Sequence, residues 1–226
     1  MTQRAGADWC PVTGFDGFSA EALDFYEDLE DDNTRSFWNA HKHVYDESVR
    51  APMLALLAAL EPEFGPGKAF RPHRDLRFAA DKTPYKTHQG GYVRRDDSTG
   101  FYVEVNAAGV RVGAGCYDLS GSRMHRYREA VDDDRTGGEL QSVVDALVEQ
   151  GYEIGGDRLR TRPRGTPDDH PRLELLRHRS LSAGLAYGCP AWVHTAELAD
   201  RVAADWRALE PLVDWVTTHV PGGAGA

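Results

Sequence analysis

Phe101-Tyr102-Val103-Glu104-Val105-Asn106-Ala107-Ala108-Gly109-Val110-Arg111-Val112 decides the fold class. Phe101, Val103 and Val105 alternate with Tyr102, Glu104 and Asn106, a period of two that sends the two sets to opposite faces of a strand. Ala107-Ala108-Gly109 is a short glycine-containing turn, and Val110-Arg111-Val112 returns as the partner strand. Upstream, Gly90-Gly91-Tyr92-Val93-Arg94 reads as the preceding strand, with residues 95–100 as its loop. Successive strands with short links imply an antiparallel meander, not a βαβ unit. Gly113-x-Gly115 lacks the third glycine and the following helix of a dinucleotide loop, and reads as a bulge.

Helical periodicity flanks this sheet on both sides. Ser19 is a suitable N-cap for a helix carrying Ala22, Phe25, Tyr26 and Leu29 at i, i+3, i+4, i+7. Thr34 caps a second helix whose inner stripe includes Phe37, Trp38, His41 and Tyr45. Pro52 kinks that helix or opens a new one through Leu60, and Pro62, Gly65, Pro66 and Gly67 end it. Further on, helices are predicted over 122–131 and 139–150, and a hairpin about Gly155-Gly156 over 152–161. Asp169, with Pro171 in the first turn, starts a short helix through Leu173, Leu175 and Leu176. A last strand spans 181–187. Thr195 caps a long C-terminal helix carrying Leu198, Val202, Trp206, Leu209, Val213 and Val216, which Pro211 should kink or split.

The expected architecture is a single α+β domain over 18–220. A curved antiparallel sheet from 70 to 116 is packed by N-terminal helices and the long C-terminal helix, with tails at 1–17 and 221–226. At 226 residues and 41% hydrophobic content, the chain can bury one substantial core. Its net charge of −10 disfavours general nucleic-acid or anionic-membrane binding, which needs a broad positive field. Cys10, Cys116 and Cys189 form no CxxC, and their odd count and wide spacing suggest free thiols in a reducing compartment. With no secretory signal and no apolar run near ~20 residues, the expected location is the cytoplasm.

Two local stretches oppose the acidic background. From Arg71 to Arg95 there are seven Lys/Arg against two Asp, net +5, leaving −15 for the remainder. From Arg158 to Arg179 there are seven Arg against Asp168, Asp169 and Glu174, net +4. Arginine suits bidentate grip on phosphate or carboxylate, and lysine adds a point charge. Pro84 fixes a turn between Lys82 and Lys86.

With these motifs in hand, the chain resembles a bacterial and fungal family catalogued as domain of unknown function 2461. The resemblance runs from about Phe18 to Val220. It rests on Asn33-x-Arg35-x-Phe37-Trp38-x-x-His41-Lys42-x-x-Tyr45 and on Arg74-Asp75-x-Arg77-Phe78-x-x-Asp81-Lys82-Thr83-Pro84-Tyr85-Lys86-Thr87-His88. It continues through Gly113-x-Gly115, Arg162-Pro163-Arg164-Gly165 and Asp169-His170-Pro171. Similar proteins usually carry Trp-Phe where this chain has Phe37-Trp38, and often Asn at His41. The resemblance implies a fold and a site location but no reaction.

The expected site is therefore a positive cleft between the 74–88 turn and the 162–170 loop. Arg74, Arg77, Lys82, Lys86, Arg162 and Arg164 are its candidate ligand-binding residues, with Trp38 and Tyr45 as walls. Its ligand would be a small phosphate- or carboxylate-bearing molecule. His88, Tyr85 and His170 are the candidate acid–base residues. No cofactor is expected, and His73, Asp75, Asp81 and His88 match no closed metal-ligand spacing. Two other readings remain. Arg74, Arg77, Asp75 and Asp81 could form an internal ion-pair brace, and the basic patch could dock an acidic partner protein. Contact with single-stranded nucleic acid would need Phe78 and Tyr85 exposed.

Overall fold

The structure, a computed structural model, describes residues 14–75, 77 and 82–222. Cys10, Phe78 and Asp81 lie outside the described residues. The fold is one α+β domain: a six-stranded antiparallel sheet with a helical layer on one face. The strands are β1 (Gly67–Ala69), β2 (His88–Arg94), β3 (Thr99–Asn106), β4 (Gly109–Cys116), β5 (Glu153–Gly155) and β6 (Leu181–Gly188), in the order β1-β2-β3-β4-β6-β5. The predicted β2-β3-β4 meander forms, and the predicted last strand pairs with β4.

Helices α1 (Ala20–Asp31), α3 (Ala51–Phe64) and α7 (Glu197–His219) cover one face, packing on β3, on β1 and β2, and on β3 and β4 respectively. Phe101, Val103 and Val105 are fully buried there, as the alternation requires. Trp206 of α7 fills the centre against Phe64 and Phe101, with ring centroids 5.2 Å from each. Glycine sets how closely α3 approaches the sheet. A Cβ on Gly91 would lie 2.7 Å from Met53 Sδ, and one on Gly67 would lie 2.8 Å from Leu57 Cδ2. No described helix is long and apolar enough to cross a membrane.

Several local expectations are corrected. Helix α2 (Arg35–Val44), capped by Thr34 Oγ1 accepting from Phe37 N at 3.2 Å, runs into a π-helical turn (Tyr45–Arg50) before α3. Pro52 then occupies the first turn of α3, where a missing N–H costs nothing. Pro62 does not end α3, which stops at Gly65 with φ 92°. Gly113-x-Gly115 is not a bulge. Both residues stay in register with β6, and the irregularity falls between Val110 and Arg111. These glycines instead admit the neighbouring backbone, because a Cβ on Gly115 would lie 2.2 Å from Leu181 O.

The expected hairpin over 152–161 does not form. β5 pairs with β6 across a long connection, and Gly156 (φ 114°) turns the chain under Ser180. Helix α4 (Gly121–Asp132) falls where expected, but α5 (Asp134–Glu149) starts five residues before Glu139. Its cap is Asp133, whose side chain accepts from Arg135 N and Thr136 N. Helix α6 (Leu173–Leu176) begins after Arg172, not at Asp169. Helix α7 runs unbroken with Pro211 inside it. Its N-cap is Ala196, with Thr195 Oγ1 accepting from Glu197 N at 3.3 Å.

Candidate functional site

The described residues 70–75 and 82–88 of the first basic stretch fold as an extension of the β1–β2 hairpin. Phe70 N donates to Gly90 O at 2.8 Å, Lys86 N to Pro72 O at 2.8 Å and Arg74 N to Pro84 O at 3.0 Å, with His73 bridging Tyr85. This arm is fastened to the start of α2. Asn33 Nδ2 donates to Tyr85 O at 3.0 Å and Asn33 Oδ1 accepts from Tyr85 N at 3.1 Å, so one amide side chain satisfies both backbone groups of Tyr85. Arg74 Nε also donates to Tyr85 O, at 2.8 Å. The Tyr85 ring stacks on Trp38 with centroids 4.2 Å apart and planes 8° off parallel. Tyr85 and Trp38 are 5% and 4% exposed. Both rings are anchors of the arm. The burial of Tyr85 also removes one of the two rings that contact with single-stranded nucleic acid would need.

Toward the tip, Arg77 and Asp75 form an exposed bidentate pair, with Nη2–Oδ2 at 2.6 Å and Nε–Oδ1 at 3.0 Å. The Arg77 hydrogen bonds hold the Asp75 carboxyl below the usual carboxylate range. Lys82 is exposed nearby, and Asp81, expected to orient these groups, lies outside the described residues. Lys86 points back toward the sheet, its Nζ 5.0 Å from the Phe70 ring centroid. Burial, then Arg71 and Arg74, push its ammonium pKa down.

The second basic stretch is far from the first. Strand β2 begins at His88, opposite the end of β3 at Asn106, beside Gly109 at the start of β4. Strand β6 begins at Leu181, opposite Cys116 and hence Thr99, at the other end of the sheet. The 158–179 connection thus enters β6 at the corner diagonal to the arm. Three strand spacings of ~4.8 Å and about seven residues of ~3.3 Å separate the two corners, about 25 Å in all. Arg162 and Arg164 are therefore not brought together with Arg74, Arg77, Lys82 and Lys86, and the expected cleft between the loops does not form.

Within the second stretch, Arg162 Nε pairs with Asp168 at 2.5 Å, while Arg164 is exposed. His170 Nδ1 accepts from Arg172 N at 3.1 Å, which leaves Nε2 to donate to Asp132 at 3.0 Å. Arg172 donates to the carbonyls of Val131 and Asp132. His170 and Arg172 thus close the C-terminus of α4, satisfying carbonyls that the helix leaves orphaned.

The face of the sheet opposite the helices carries a cluster of polar and aromatic side chains. His88, Tyr92 and Arg94 of β2, Tyr102, Glu104 and Asn106 of β3, and Arg111 of β4 share it by register, and all are half-buried or exposed. Its polar end centres on Glu104. Tyr102 Oη donates to Glu104 Oε2 at 2.5 Å, Asn106 Nδ2 donates to Oε1 at 3.1 Å, and His88 Nε2 lies 3.9 Å from Oε2. Burial lowers the His88 pKa against the pull of Glu104, and Lys86 and Arg74 lower it further. Gly90 makes room for the Tyr102 phenol, since a Cβ there would lie 2.6 Å from its oxygen.

Beyond Glu104 the face becomes aromatic. Phe70 stacks on Tyr92 at 4.7 Å, flanked by Lys86 over Phe70 and by Arg94 6.0 Å from the Tyr92 centroid. Phe70 and Tyr117 are among the few large apolar side chains left exposed, at 40% and 50%. Phe70, Tyr92, Tyr102 and Tyr117 wall a cavity of about 440 Å³, closed at one end by the Asp96-Asp97-Ser98 turn. Across Tyr102 and Tyr117 lies a second cavity of about 160 Å³, lined by Arg111, Ser182 and the Gly113 and Gly184 backbone.

Asp96 in the end wall is held by the core side. It accepts from Ser98 N at 2.9 Å, Thr99 N at 2.8 Å and the buried Arg123 Nη2 at 3.2 Å. Burial raises its pKa, but the hydrogen bonds from Ser98, Arg123 and Thr99 outweigh that and leave it lowered. A carboxyl depressed on folding contributes stability above its unfolded pKa of ~3.9, and that stability is lost as pH falls through the folded value. In urea unfolding followed against pH, Arg123→Met should therefore have a shallower loss of stability below about pH 4 than the wild type. An unchanged acid limb would mean that the pair does not couple to folding.

Of the aromatic residues of this face, only Tyr102 lies in the alternation that sets it opposite Phe101. What sequence does not show is that β6 completes the face beside β4 and leaves it without a helix of its own. Among the described residues no three His, Cys, Asp or Glu side chains gather as metal ligands. No curated protein matches the chain. A family model described as "Conserved hypothetical protein (DUF2461)" matches residues 21–215, which include the arm, the open face and most of the helical layer. The chain belongs to that family.

Proposed function

We propose that the open face of the sheet binds a small anionic molecule, and that the 70–88 arm is a scaffold that sets one edge of the site. The observation carrying this reading is the aromatic cavity of about 440 Å³ beside cations that ion pairs do not consume. Its size lies within the usual ~300–1,000 Å³ of ligand sites, whereas a docking patch is flat and broad. Arg94 lines it, Lys86 lies over the Phe70 ring of its wall and Arg111 lines the adjoining smaller cavity, and none of the three makes an ion pair with a described residue. Acid–base chemistry on the bound molecule would fall to His88, which its surroundings favour as neutral imidazole beside Glu104. Arg77 falls outside this site, because its guanidinium is engaged by Asp75.

A thermal-shift screen tests the reading with wild type, Arg111→Ala and Arg77→Ala, at two salt concentrations. The ligands are inorganic phosphate, citrate, sugar phosphates and nucleotides. At least one anion should raise the wild-type melting temperature by mass action. Arg77→Ala should melt with the wild type and keep that shift, while Arg111→Ala should lose it. Loss in Arg77→Ala alone would return the site to the arm tip. No shift with any anion would turn attention to an acidic protein partner docking on the arm.

A further inference from the structure

We propose that the open face takes a flat heteroaromatic ring joined to a phosphate or carboxylate, as in a mononucleotide, with the ring in the larger cavity and the anion at Arg111. This rests on the reading of the open face as a ligand site and names the ligand class. The two cavities share a single divider, Tyr102 and Tyr117, so one molecule can occupy both by crossing it. On one side the walls are aromatic. Phe70, Tyr92, Tyr102 and Tyr117 line the cavity, with Thr99 and Gly100 among its other lining residues. Such walls favour a planar ring over a sugar or a branched acid, because base–aromatic stacking needs only parallel faces.

The chemistry at either end differs. The larger cavity is almost wholly apolar, although Asp97 and Ser98 are among its lining residues. Across the divider, Arg111 lines a small recess with Ser182, Gly113 and Gly184. In register Arg111 lies opposite Glu104, yet the two do not pair, because both Glu104 oxygens are taken by Tyr102 and Asn106. Arg111 makes no hydrogen bond or ion pair with any described residue, so its fork is available for a bidentate anion. The aromatic cavity and the available guanidinium thus adjoin across Tyr102 and Tyr117.

Binding of AMP, adenosine and ribose 5-phosphate, measured by calorimetry at low salt, tests the assignment. AMP should bind at least about tenfold tighter than either half. Arg111→Ala should bring AMP down to the affinity of adenosine while leaving adenosine unchanged. Tyr117→Ala should instead bring AMP toward ribose 5-phosphate. Both side chains are on the surface, and the melting temperature of each variant is checked alongside. Should a variant fail to fold, the three-ligand comparison on wild type still decides. Ribose 5-phosphate binding as tightly as AMP would overturn the aromatic-ring assignment while leaving an anion site standing. No binding of these three, with a thermal shift from phosphate or citrate, would do the same. No shift from any anion would overturn both.

Discussion

Replacing Tyr85 by alanine should cost about 3–5 kcal/mol of stability, the range for deleting a large buried aromatic ring. Tyr85 is buried against Trp38, and its backbone is held on both sides by Asn33. Removing the ring opens a void beside Trp38, His73 and the start of α2. The arm's hairpin pairing through Pro72 and Arg74 should loosen with it. Tyr85→Phe keeps the ring and both backbone bonds and should cost far less. Urea unfolding of the two variants separates the roles. A mild Tyr85→Ala phenotype would mean that the arm is not held by this stack.

A second large effect is expected at Trp206. It is fully buried between Phe64 and Phe101, and its indole N–H donates to Tyr102 O at 3.2 Å. Trp206→Ala should cost about 3–5 kcal/mol for the cavity. The stranded Tyr102 carbonyl adds up to about 1–3 kcal/mol if water cannot reach it. Trp206→Phe restores most of the volume but not the donor, so the difference between the variants reads the hydrogen bond. The same contact ties the core to the site, since Tyr102 carries its phenol on the opposite face. Even where Trp206→Phe folds well, it should weaken ligand binding through Tyr102. Unaltered binding in that variant would show that the open face does not depend on α7.

Much of this architecture is legible in local sequence. The alternation from Phe101 to Val112 specifies the central hairpin and its two faces, because a period of two has one consistent burial. The i, i+3, i+4, i+7 spacing of Ala22, Phe25, Tyr26 and Leu29 likewise marks the buried stripe of α1. Long-range pairing is where local signals stop. Nothing near Gly155-Gly156 announces that β5 pairs with a strand about thirty residues later rather than with its own neighbour. That pairing decides where the 158–179 stretch lies, and hence that Arg162 and Arg164 sit diagonally across the sheet from Lys86.

Charge counting met a similar limit. The net +5 of the 71–95 stretch is real, but side-chain direction divides it. Arg74 turns inward to the Tyr85 carbonyl, Arg77 turns to Asp75, and Lys86 and Arg94 turn to the open face. An aromatic with a polar tip, such as Trp38 or Tyr85, fits a ligand wall, an acid–base role or core packing equally well in sequence. Stacked on each other under α2, they serve packing. Glu104 and Arg111 carried no sign in sequence of belonging to a site, since each sits in an ordinary alternating strand. Only the glycines at 90, 113 and 184, which lower the backbone beneath them, distinguish that face.

The most direct test of the open-face assignment is a two-dimensional amide NMR titration of the wild-type protein with AMP and with inorganic phosphate. Shifts should concentrate in residues 88–94, 99–106 and 111–117, with AMP extending the phosphate-perturbed set from around Arg111 toward Tyr92 and Tyr117. Perturbations confined to 74–86 or to 158–172, with strands β2 to β4 unmoved, would contradict the account.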